Sequence, residues 1–138
     1  MSLALQADEA HQRGVNELLA RGGTRAPEFW APGVCRELHL PVPGAELRVF
    51  HSRPAGAAAR RPIVLIPGWG TIPEGFQSFF EVVHGQAELF YVETREKNSS
   101  RIRDRKPDMS VLRSARDIQA ALQALGLAGK RDFVLMGT

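Results

Sequence analysis

The sequence predicts an α/β fold, in which an antiparallel hairpin leads into a mostly parallel sheet flanked by helices. Three observations predict it. The run Ile63-Val64-Leu65-Ile66 is unbroken by any polar residue and stops at Pro67-Gly68, the pattern of a strand buried on both faces. Two more short apolar runs follow, Leu89 to Val92 and Phe133 to Met136, and each is reached through a segment with helical spacing. Two alternating runs precede the first, on either side of Pro43-Gly44. A hairpin followed by strand, helix, strand, helix and strand places helices against the faces of a parallel sheet.

Each element has its own warrant. Residues 3–21 read as a helix, with Leu3, Ala7, Ala10, Val15, Leu18 and Leu19 on one face and Gly22-Gly23 as its stop. Residues 24–34 form a loop with Pro27 and Pro32, anchored by Phe29 and Trp30. Cys35–Val42 and Ala45–His51 alternate with period two and form the hairpin, half exposed and at a sheet edge. Residues 53–62 are a connector. Phe76, Phe79, Phe80 and Val83 mark a short amphipathic helix ending near Gly85. Residues 93–108 are polar and basic. Val111, Ala115, Ile118, Leu122 and Leu125 mark a second helix, capped by Asp108 or Ser110 and closed by Gly126. The chain divides into an N-terminal helix and loop at 1–30 and an α/β domain at 31–138.

Composition narrows the function. Of the 138 residues 43% are apolar and 24% charged, the balance of a globular domain, and no apolar run approaches the length of a membrane span. The start of the chain lacks the basic flank of a secretory signal, so a cytoplasmic location is expected. A single cysteine excludes an internal disulfide and a cysteine-based zinc site. The four histidines, His11, His39, His51 and His84, show no local ligand spacing; His39 and His51 would hold a metal only if their strands set them face to face. No metal and no cofactor is expected. The net charge of +3 does not point to nucleic acid. From Arg95 to Asp117 eight cations stand against four acids, a solvated face or an attraction for an anionic group. No aromatic residue interrupts that run, which argues against base stacking.

The chemistry concentrates at Pro67-Gly68-Trp69-Gly70. Glycines beyond a buried strand leave backbone N–H groups open to a ligand, and the C-terminal ends of such strands are where open α/β sheets place their sites. The bland alternative is a tight turn with Trp69 packed as core. Glu93 and Arg95, just beyond the next strand, are expected to fix their loop by ion pairs and hydrogen bonds. Ser99 and Ser100 lack the flanking pattern of a nucleophile.

Together, the hairpin, the strand ending in Pro67-Gly68-Trp69-Gly70, the segment Glu93-Thr94-Arg95-Glu96-Lys97-Asn98-Ser99-Ser100 and the terminal run Phe133 to Thr138 resemble the amino-terminal half of the α/β-hydrolase superfamily. The resemblance covers residues 35–138. Members commonly carry His-Gly-x-x where this chain has Pro67-Gly68-Trp69-Gly70. The second segment is similar to the family's Asp-x-Arg-Gly-x-Gly-x-Ser, with Glu96 and Asn98 in place of the glycines. Gly137 and Thr138 match the first two positions of the family's G-x-S-x-G elbow, so its nucleophile would be the next residue. The resemblance implies that the Trp69 backbone N–H donates to an oxyanion hole, with its side chain lining an acyl or alkyl pocket. Gly68 and Gly70 would admit the substrate. The parent protein would be an esterase, lipase or related enzyme acting on a small-molecule ester or acyl substrate. On this resemblance the places of the family's nucleophile, acid and histidine all fall beyond Thr138, so residues 1–138 read as a truncated portion, expected not to catalyse alone.

Two other classes stay open. Gly68-x-Gly70 after a strand, with Glu93 closing the next, is also a partial dinucleotide-binding pattern of Rossmann type, although Pro73 stands at the third glycine position. A non-catalytic structural or interaction fragment is the third reading, self-associating through the last strand.

Overall fold

The computed structural model describes residues 35–53, 60–83, 86–129 and 132–138. The helix expected over 3–21, the loop after it and the division at residue 30 lie outside the described residues, as do His84, Gly85 and part of the connector.

One sheet organises the chain. Its strands are β1 (Cys35–Val42), β2 (Ala45–Ser52), β3 (Ile63–Ile66), β4 (Leu89–Val92), β5 (Arg101–Ile102) and β6 (Val134–Gly137). The order across the sheet is β1-β2-β4-β3-β6, with β5 pairing onto β2. β1 and β2 form the expected hairpin, in register from Cys35 opposite Ser52 to Val42 opposite Ala45. β2 runs antiparallel to β4, whereas β3 is parallel to both β4 and β6. The unbroken apolar run of β3 suits its place between two parallel neighbours.

Two helices cover opposite faces. A 3₁₀ turn (Pro73–Phe76) runs into α1 (Gln77–Val83), and α2 spans Val111–Ala124. Phe80 of α1 packs with Phe50, Leu65, Leu89 and Tyr91. Ala121 of α2 packs on the other side with Leu47, Val49, Val64 and Val92. Adjacent strand residues such as Val64 and Leu65 therefore serve different faces, as the pleat requires. Ser110 caps α2, its hydroxyl accepting the Arg113 N–H at 3.2 Å, and Asp108 accepts the Ser110 N–H at 2.9 Å. Both residues expected at this cap take part. Among the described residues no helix is long and apolar enough to cross a membrane.

Several expectations are corrected. Among the described residues only β1 of the hairpin lies at an edge; β2 is interior and largely buried. Even Arg48 is only 8% exposed, because its Nε donates to Glu93 Oε2 at 2.7 Å and its guanidinium carbon lies 4.9 Å from the Phe50 ring centre. A buried cation with a buried partner satisfies what a period-two reading takes for a solvent-facing position. His39 and His51 do not face each other: His39 stands opposite Arg48 and His51 opposite Arg36. His51 stacks on Phe90 at 4.5 Å and shares a 2.8 Å hydrogen bond with Glu88. The last strand lies one residue later than expected, at Val134–Gly137, because the Val134 N–H bonds the Pro62 carbonyl. β5 is unanticipated, since two exposed residues carry no periodicity.

Tyr91, the only tyrosine, is fully buried among Phe50, Phe76 and Phe80. Burial, then the nearby charges of Glu93 and Glu74, raise its hydroxyl well above the ordinary phenol value. An acid whose folded pKa is raised keeps its proton while the unfolded chain releases it. Stability is therefore unaffected at neutral pH and lost as pH climbs past the unfolded phenol value of about 10. Phenolate absorbance is expected to appear only together with loss of the circular dichroism signal. Tyr91→Phe should move alkaline unfolding to higher pH. Phenolate formation with the dichroism intact is the contrary result.

Candidate functional site

The C-terminal ends of β3, β4 and β6 point the same way, and the segments leaving them meet. β3 leads through buried Pro67 into a four-residue turn in which the Gly68 carbonyl accepts the Thr71 N–H at 3.1 Å. Gly70 has φ +79°. A turn with positive φ at its third residue has the pattern of type II, which glycine adopts without strain. No described residue accepts the Trp69 N–H, and the Trp69 side chain is 88% exposed. The turn forms, but Trp69 is not packed as core.

β6 brings Gly137 opposite Ile66 and sets Thr138 against Gly68. Thr138 Oγ1 accepts the Gly68 N–H at 2.8 Å. A β-carbon on Gly68 would lie 2.5 Å from the Thr138 carbonyl oxygen, so the approach requires glycine. Of the two glycines singled out in the sequence, Gly68 permits close contact and Gly70 permits the turn.

The segment after β4 forms a buried polar frame. Glu93 accepts from Arg48 and from the Ser99 hydroxyl. Arg95 makes a bidentate pair with Asp117 of α2, at 2.5 and 2.9 Å, and donates to the Pro43 carbonyl at 2.9 Å. The Ser100 hydroxyl donates to the Thr94 carbonyl at 2.9 Å. Glu93 and Arg95 thus fix their loop as expected, though with distant partners, and both serines are taken up in holding it.

Lys97 is the residue that sequence reasoning missed. Its Nζ donates to the Gly68 carbonyl at 2.6 Å and to the Thr71 carbonyl at 2.7 Å, joining the β4 segment to both ends of the turn. Burial holds its ammonium below the ordinary lysine value, against the pull of Glu96 and Glu93. The available signal was its place between Glu96 and Asn98, in the part of the motif nearest the turn.

Other arrangements gain no support from the geometry. Gly70 is followed by Thr71, Ile72 and the 3₁₀ turn, and α1 begins only at Gln77, so the loop does not open directly onto a helix N-terminus as a dinucleotide pyrophosphate site does. Much of the basic run is internally paired: Arg101 and Arg103 with Glu46, Arg95 and Arg113 with Asp117. Among the described residues no group of three or more metal-ligating acids, histidines or cysteines occurs.

Solved structures share this architecture. A protein of Pseudomonas aeruginosa described as an epoxide hydrolase is similar at 22% identity and TM-score 0.59, over 80% of this chain and 35% of its own. The Cif epoxide hydrolase from Acinetobacter nosocomialis matches at 14% identity and TM-score 0.63, over 94% and 37%. The haloalkane dehalogenase DatA from Agrobacterium tumefaciens matches at 21% identity and TM-score 0.60, over 77% and 33%. No protein-family model matches the sequence, and no curated protein does. These likenesses, with the strand order and converging strand ends, define the class: the chain has the amino-terminal portion of the α/β-hydrolase fold. It spans about a third of the length of the structures it matches.

Proposed function

We propose that the Pro67–Thr71 turn is one half of the oxyanion hole of a hydrolase acting on ester or other acyl bonds. The Trp69 N–H is its donor, and Gly68 and Gly70 leave room for a small-molecule substrate. The observation that carries this reading is Thr138 on Gly68: the 2.8 Å bond sets the strand end beside the turn. In this reading the residue after Thr138 emerges next to the Trp69 N–H, and a serine there attacks a carbonyl carbon. The carbonyl oxygen, gaining charge, is received by that N–H. A histidine elsewhere in the whole protein takes the serine proton. Preorganised donors of this kind contribute about 2.7–4 kcal/mol each to lowering the barrier.

The names of the structural neighbours favour a second reading, in which the charge received at Trp69 is that of an alkoxide or a halide. The two separate in one experiment on the complete polypeptide carrying this segment, supplied in turn with an aryl ester, an epoxide and a haloalkane. Ester turnover is expected, with a fluorophosphonate label on the residue following Thr138. Epoxide or haloalkane turnover without ester turnover replaces the first reading by the second. No turnover of any of the three removes both. The polypeptide from Met1 to Thr138 is expected to stay unlabelled.

A further inference from the structure

The Gly68 carbonyl and the Trp69 N–H belong to the same peptide unit. In a planar trans peptide these two groups point in opposite directions, so whatever fixes the carbonyl fixes the N–H as well. Lys97 Nζ holds that carbonyl at 2.6 Å. Its second bond, to the Thr71 carbonyl at 2.7 Å, holds the far end of the same turn. The Thr71 N–H also bonds the Gly68 carbonyl, at 3.1 Å, so that one oxygen receives a charged and a neutral donor.

The lysine is itself well placed. Its N–H donates to the Thr94 carbonyl and its own carbonyl accepts the Ser100 N–H, both at 3.0 Å. Two nearby side chains are engaged elsewhere: Glu96 with the Thr94 hydroxyl at 2.5 Å, and Ser99 with Glu93. The backbone that carries Lys97 is thus anchored on both sides, and the side chain reaches from the end of β4 across to the end of β3. A charged donor on a carbonyl is stronger than a neutral one, and it polarises the peptide so that the opposite N–H becomes a better donor.

We infer that Lys97 is the positioning residue of the turn, orienting and polarising the Gly68–Trp69 peptide so that the Trp69 N–H faces outward as a preorganised donor. Its role in turnover rests on the oxyanion reading above; its role in holding the peptide does not. Lys97 touches backbone carbonyls, not a reacting atom, and acts through Trp69.

The test uses two readouts on Lys97→Met, which keeps the apolar stem, and Lys97→Arg, which keeps a charge able to reach two carbonyls. Amide hydrogen exchange in the 138-residue chain reads the turn at the Thr71 N–H. The Glu93 N–H, which bonds the Arg48 carbonyl at 3.0 Å, is the reference in the same spectrum. In Lys97→Met, Thr71 exchange is expected to accelerate roughly ten- to a hundredfold, the loss of one hydrogen bond from a charged donor, with Glu93 unchanged and Lys97→Arg restoring most of the protection. Equal Thr71 protection in Lys97→Met and the unaltered chain overturns the inference. So does equal loosening of Thr71 and Glu93, which would make the lysine a general support. In the complete polypeptide, ester kcat is expected to fall by a similar factor in Lys97→Met with KM little changed. A loosened turn with undiminished kcat leaves Lys97 as the holder of the peptide and removes the oxyanion reading instead.

Discussion

Asp117→Ala is expected to destabilise the protein by about 3–5 kcal/mol, read from the urea midpoint at unchanged slope. Asp117 is fully buried in α2, and the side chain it faces, Arg95, is 1% exposed. Removing the carboxylate leaves a guanidinium in the interior with only the carbonyls of Pro43 and Asp108 to receive it. Arg113 loses by the same change, since its Nε lies 3.3 Å from Asp117 Oδ1. The cost is that of a stranded charge and not the net worth of the pair. The double variant Arg95→Met with Asp117→Leu should therefore recover most of the loss. The Pro43 carbonyl would keep a donor in Arg113, which bonds it at 2.7 Å. A double variant as unstable as the single one would show that the pair contributes more than charge compensation.

Gly68→Ala should lower ester turnover in the complete polypeptide by about 10²–10³-fold, the cost of displacing one oxyanion donor. The added β-carbon would meet the Thr138 carbonyl oxygen at 2.5 Å and its carbonyl carbon at 3.1 Å, and backbone cannot swing aside as a side chain does. Either the turn or the end of β6 must move, and both carry the proposed reaction. Gly70→Ala is the comparison within the same turn: its β-carbon would meet nothing within 4 Å, but φ +79° costs a residue with a side chain about 1–2 kcal/mol. That variant should lose stability with a smaller effect on rate. Undiminished turnover in Gly68→Ala would place the reaction elsewhere.

What could be read in advance follows from which forces act along the chain and which act across it. β3 and β4 are bounded as the apolar runs indicate, because a strand between neighbours is apolar on both faces and its ends are marked by Pro67 and Glu93. The α2 cap was legible because Ser110 serves an N–H three residues on. Long-range polar pairing was not. Arg48 looks solvent-facing until Glu93 is brought beside it, and Arg95 gives no hint that its partner sits on α2. Lys97 escaped notice because a long, flexible cation in a polar stretch looks the same whether it points to water or to two carbonyls. The turn itself was legible, since Pro67, Gly68 and Gly70 mark it and Gly70 takes its positive φ; the Lys97 and Thr138 contacts on Gly68 needed the strands laid side by side.

The sheet separates two apolar groups that share no buried residue, one around Ala121 and Leu127, the other around Phe80 and Tyr91. A protein built this way can be altered from either side with little cross-talk. Changes beneath α2 and changes beneath α1 should have nearly additive effects on stability, because no direct packing joins them. Mutational drift can therefore rework the α2 side while the α1 side, which leads directly from the turn, keeps its shape. Arg95 with Asp117 is the exception, since it ties α2 to the segment carrying Lys97, and there the two sides must change together.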